Sequence, residues 1–282
     1  LGDLEHAREH LEIANNLYVP ERHQGHVLLF GQDPGVTARC YLTFTHWMLG
    51  HPAQAWAALD AAVAAAKPLD HSFTTAWPMA FRTLMHSHRR EVPEALKAAE
   101  ELITFALQER QVYWLQAAII VRGWAQACSG DVETGIAGMR DGIRSYASTG
   151  AGVSLPHFHG LLAEALIADG HFNEAEAELS KAFQIATANG EAVAEISLWR
   201  LRGELAEMRG KHELALENCR RAVELSEELG AHGPGLRAAI CLHQLLKGSQ
   251  ESPLARAIDR FGPDATSPDI DEARIISGNT TQ

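Results

Sequence analysis

Cysteine is scarce in this chain of 282 residues, and the four present, Cys40, Cys128, Cys219 and Cys241, stand far apart inside apolar-periodic segments. A disulfide-stapled scaffold is therefore not expected, and the four read as small reduced core residues of a cytosolic protein. Long apolar runs are missing too. Nothing approaches the roughly 18 uninterrupted apolar residues of a membrane helix, and no signal-peptide pattern opens the chain. Basic charge is short: 24 Lys and Arg stand against 36 Asp and Glu, a formal charge of −12. Nucleic-acid binders gain affinity by neutralising phosphates, so this balance argues against DNA and RNA partners. β-Branched runs are few, whereas alanine occurs 45 times, which favours helix almost throughout. The chain opens at Leu1 in mid-helix pattern, which predicts a piece of a longer protein.

Catalytic motifs are also lacking. A phosphate-cradling loop needs Gly-x4-Gly-Lys-Ser/Thr. The nearest approach, Gly203 to Gly210-Lys211, has six residues between its glycines and ends in His212. Neither Gly-x-Ser-x-Gly nor His-Glu-x-x-His occurs. The 15 histidines include the pairs His6/His10, His86/His88 and His157/His159. Zinc needs three or four convergent ligands, and no recurring cysteine or acidic partner accompanies these pairs. His46 and His86 are 40 residues apart, so they are expected to share one repeat position and to pack between helices. No enzyme activity, metal or cofactor is expected.

What is present is a period. Glycines fall at Gly50, Gly130, Gly170 and Gly210, with Arg90 at the missing position, and a second series runs Gly150, Gly190, Gly230. Each closes a helical pattern, where a left-handed cap is cheap only without a Cβ. Five residues after the first series come Ala55, Ala95, Gly135, Ala175 and Ala215; four further on come Leu59, Ala99, Met139, Leu179 and Cys219. Spacings of four and three put these on one helix face, and their small size lets a neighbouring helix approach closely. The unit is helix A, tight turn, helix B, second turn.

The segments Trp47-Met-Leu-Gly-His-Pro-Ala-Gln-Ala-Trp-Ala-Ala-Leu-Asp-Ala-Ala62 and Ala168-Asp-Gly-His-Phe-Asn-Glu-Ala-Glu-Ala-Glu-Leu-Ser-Lys-Ala182 resemble the tetratricopeptide repeat. The unit of 40 is longer than the usual ~34 residues. Such long repeats are similar to those of signal-transduction ATPases, including the sugar-sensing domain of the maltose-regulon activator. Leu17-Tyr-Val-Pro-Glu-Arg-His23, Gly31-Gln-Asp-Pro-Gly-Val36 and His46-Trp-Met-Leu-Gly-His-Pro52 resemble the C-terminal repeat region of bacterial proteins that join a nucleotide cyclase to a predicted ATPase. The resemblance implies an all-α, right-handed α-solenoid of TPR-like hairpins. Residues 1–33 are expected to form a truncated repeat helix plus linker, 34–248 five repeats and a sixth A helix, and 249–282 a capping helix near Leu254–Phe261 and a frayed tail. Asp33-Pro34 is a good helix start. Pro78 lies well inside the second A helix, which is expected to start late or kink.

In this repeat family the A helices line the concave wall. The register then places Phe44, Trp47, Trp77, Leu84 and Trp124 on an apolar stretch, with Glu164, Arg200 and Glu204 on a charged one. Aromatics could anchor an apolar partner while the charges fix polar groups. The expected function is a non-catalytic scaffold binding a protein segment, or another domain of its own parent chain, in this groove. A small-molecule, sugar-like sensor is the alternative. Homo-oligomerisation is a third, because helix B of the truncated repeat would leave Leu4, Leu11 and Ile13 uncovered.

Overall fold

The computed structural model describes residues 2–23, 25–247 and 252–278. Among these residues there are sixteen α-helices and one 3₁₀ turn, without strand. None of the helices is long and apolar enough to cross a membrane. After α1 (Leu4–Leu17) and the short α2 (Pro20–His23) and α3 (His26–Phe30), hairpins follow in series. They pair α4 (Pro34–Met48) with α5 (Pro52–Ala66), α6 (Ser72–His88) with α7 (Val92–Gln108), and α8 (Val112–Cys128) with α9 (Val132–Ser148). Next come α10 (Leu155–Ala168) with α11 (Phe172–Asn189) and α12 (Ala192–Met208) with α13 (His212–Glu228). The unpaired α14 (His232–Leu245), α15 (Leu254–Ile258) and α16 (Pro268–Ile276) end the chain.

A single turn chemistry produces this alternation. Gly50, Arg90, Gly130, Gly170 and Gly210 all adopt positive φ, as do Asp70, Arg110, Gly150, Gly190 and Gly230. The ten left-handed residues fall every 20 positions, one per helix end. The amide that follows usually bonds back five residues, as in His51 N to His46 O (2.8 Å), Glu91 N to His86 O (3.0 Å) and Lys211 N to Ala206 O (2.9 Å). This is the six-to-one closure of a Schellman cap, and it satisfies carbonyls the helix leaves open.

Packing follows the small-residue face. Ala55, Ala95, Ala175 and Ala215 are fully buried, as are Leu59, Ala99, Met139, Leu179 and Cys219. The closest approach joins α8 and α9, where a Cβ on Gly123 would meet the Gly135 carbonyl oxygen at 2.6 Å. Consecutive first helices touch one another, from α4 through α6, α8, α10 and α12 to α14, and α14 touches α4 again. The array has curved until its ends meet. A Cβ on Gly233 would stand 2.7 Å from the Trp47 carbonyl oxygen, and one on Gly50 3.2 Å from that of Arg260. One hydrophobic cluster joins Leu4 and Leu49 to residues between Ile196 and Ala273.

Several expectations are corrected. Helix α6 starts at Ser72, in register with its counterparts, and runs on through Pro78, so a late start is ruled out. Leu4 is covered by the chain's own far end, so it does not call for a second copy; Ile13 stays exposed. Cys128 is exposed instead of lying in the core, whereas Cys40, Cys219 and Cys241 are free and buried as expected, the last two facing one another across α13 and α14 with sulfurs 2.6 Å apart. In place of the expected frayed tail, α16 packs back with Ile270 and Ala273 buried. Ser267-Pro268 starts it, the Ser267 hydroxyl accepting from Ile270 N at 3.2 Å and proline occupying the first turn. The very end of that tail, residues 279–282, lies outside the described residues. Asp33 behaves as expected: its Oδ1 accepts from Val36 N at 2.9 Å, and Tyr18 fixes the other oxygen at 2.6 Å.

Candidate functional site

Because the first helices face inward and the ends meet, they enclose a pocket of about 430 Å³, partly open to solvent. Its apolar wall comes from Phe44, Trp47 and Met48 of α4, Leu161 of α10, and Leu198 and Leu201 of α12. Its polar wall carries His88, Arg90, His157, Glu164, Arg200 and Arg237.

The two walls are joined by a column of rings. His88 and His157 stack with centroids 4.0 Å apart, and Phe44 and Trp47 lie 5.3 and 5.2 Å from His88. The Ser87 hydroxyl donates to Leu84 O at 2.8 Å, so His157 Nε2–H donates to Ser87 Oγ at 3.2 Å. Burial pushes both imidazoles down, His157 to about 4 and His88 well below its ordinary value, the latter helped by His157 itself. Near neutral pH the column is therefore uncharged and behaves as an aromatic plate.

Glu164 is the hub of the charged wall. Its Oε2 accepts from Arg90 Nη1 at 2.5 Å and from Trp124 Nε1 at 3.3 Å, while Oε1 accepts from Arg237 Nη2 at 3.3 Å. Burial alone would raise its pKa; Arg90, Arg237 and Arg200 together overrule that and hold the carboxyl at about 2. The Arg90 guanidinium also lies 4.8 Å from the Trp124 ring centroid, a cation–π contact. Arg237 Nη1 reaches Asp269 of α16 at 3.5 Å, and Arg200 Nη1 bonds Glu204 Oε1 at 2.5 Å. Arg200 is only 5% exposed.

No family model and no curated protein matches this chain. Of the residues read from the register, Phe44, Trp47, Glu164 and Arg200 line the pocket. Trp124 is wholly buried and reaches the site indirectly, through its ring nitrogen on Glu164 and its ring face under Arg90, and Leu84 belongs to the same core. Trp77 packs elsewhere, stacked on Phe81 and edge-on to Trp114. Glu204 acts through Arg200 rather than on the pocket. Curvature with rise explains the difference. The pocket joins the ends of α4 and α6 (Met48, His88) to the starts of α10 and α12 (Pro156, Ala192), so equal register positions stand at different heights.

Sequence reasoning missed Arg90 and Arg237 as site residues, and both had a signal. Arg90 holds a glycine position at φ 64°. Arg237 stands one step of 40 beyond Ser197 and two beyond His157, both of which line the pocket.

Proposed function

We propose that this chain is a non-catalytic binding module, a right-handed α-solenoid of tetratricopeptide-like repeats, that takes a small molecule into the interior of its superhelix. The resemblance of its repeats and linker to bacterial cyclase and predicted-ATPase proteins supports placing the module in the regulatory arm of a signalling protein. The observation that carries the reading is the enclosure: five of the six first helices contribute to one pocket whose volume falls within the ~300–1,000 Å³ typical of small-ligand sites. Aromatic rings on one wall and a few convergent charges on the other are the composition such sites use.

An extended protein segment, which the register alone favours, is the second reading. The opening of the pocket to solvent and the passage from aromatic to charged wall support it. Thermal-shift screening with sugars, nucleotides, organic acids and short peptides separates the two. A true small-molecule ligand at 100 times its Kd should stabilise the fold by about 2.7 kcal/mol. The shift should vanish in Ser197→Trp, which fills the pocket, and shrink in Trp47→Ala. A response to peptides alone would transfer the assignment to the second reading.

A further inference from the structure

The guanidiniums of the pocket wall hold spare hydrogen-bond donors. Glu164 already accepts three bonds. Arg200, buried and facing the pocket, makes a single hydrogen bond among the described residues, to Glu204, although a guanidinium carries five donors. Its Nε is buried without a partner among the described residues, and the same holds for Arg237, whose two bonds are long at 3.3 and 3.5 Å. Buried donors left empty are costly, and guanidinium forks match carboxylates in shape. A ligand for this wall must bring acceptors, which a neutral polyol does less well than an anion.

Charge sets how many. The lining carries Arg90, Arg200 and Arg237 against Glu164 and Glu191, and because Glu204 pairs with Arg200 and Asp269 with Arg237 the cluster has no positive surplus, which leaves little room for added negative charge. Behind the wall, Glu204 is a third exposed to solvent, and Asp269 sits on the far side of Arg237 in α16. A dianion would place its second charge beside Glu164 with nothing to neutralise it. Opposite lie Phe44, Trp47 and the neutral histidine plate, which suit a flat apolar body.

We infer that the pocket takes a monocarboxylate with a planar apolar body, its carboxylate on Arg200 and Arg237 and its body against Phe44 and Trp47. The assignment rests on the small-molecule reading of the pocket. Isothermal titration of the chain with 2-naphthoate, 2-naphthamide and 2-naphthyl phosphate tests it. The carboxylate should bind at least tenfold tighter than the amide and the phosphate. Arg200→Gln should erase that preference, and Ser197→Trp should abolish binding of all three. Should Arg200→Gln fail to fold by circular dichroism, the acid-to-amide ratio on the unaltered chain decides the question alone. Equal binding of acid and amide, both lost in Ser197→Trp, would overturn the carboxylate assignment and leave the pocket standing. Absence of binding by all three, or binding indifferent to Ser197→Trp, would overturn both.

Discussion

Arg90 shows how one side chain can be set against its own backbone. At φ 64° it holds a conformation that costs a non-glycine residue on the order of 1 kcal/mol or more. Its four equivalents in the first series are glycines. The strain is offset by the bond to buried Glu164 and the seat on Trp124. Arg110, in the same conformation at φ 54°, is exposed, with no comparable partner among the described residues. The two should therefore respond oppositely to glycine. Arg110→Gly should gain at most about 1 kcal/mol, because strain is relieved and nothing is lost. Arg90→Gly should lose about 2 kcal/mol or more despite the same relief, because a buried carboxylate is left underpaired. Urea midpoints for the two variants check this; equal gains would show that Arg90 is strained for no structural return.

At the scale of the helix pair, the contact between α8 and α9 depends on glycine in a way that the neighbouring glycine does not. A methyl on Gly123 would collide with the Gly135 backbone, so Gly123→Ala should cost about 2 kcal/mol or more through forced separation of the helices. Gly138 faces no neighbour closer than 4.0 Å, and Gly138→Ala should stabilise by about 0.5–1 kcal/mol through helix propensity. Thermal melts of the two single variants distinguish a packing requirement from a general intolerance of change in the α8–α9 pair. The hairpins are legible in the sequence for the same physical reason: left-handed caps need glycine, close approach needs small residues, and both repeat every 40. The pocket is only partly legible. Periodicity fixes which side of a helix faces inward, but not the height at which the curved array brings two helices together. Phe44, Trp47, Glu164 and Arg200 are recoverable from register, whereas the displacement of Trp77 and Trp124 into the core is not. Helix α16 escapes a reading of the sequence because its start, Ser267-Pro268, resembles a proline-broken tail, although proline at a helix's first turn is favourable.

For the whole molecule, acid should act in two stages with a defined sign. His157 and His88 have pKa values lowered by burial, so between the ordinary 6.5 and about 4 the unfolded chain binds protons the folded chain refuses. Stability should fall as pH drops through that window. His157→Asn should flatten the slope by up to about 1.4 kcal/mol per pH unit. Glu164, held at about 2 against an ordinary 4.5, contributes stability present above 4.5 and lost as pH falls toward 2. Melting temperatures measured from pH 7 to pH 3 on the unaltered chain and on His157→Asn test both stages; a melting temperature independent of pH down to 4.5 would contradict the neutral plate.

The meeting of α14 with α4, strapped by α16, changes what kind of object this is thermodynamically. A linear row of repeats can fray from either tip, because each unit answers only to its neighbours. Joining the tips makes a clasped necklace with no loose bead from which to begin. Denaturation should accordingly be a single step, and Ile270→Asp, a lesion at the clasp, should divide it into several while loosening amide protection in α4, at the opposite end of the sequence.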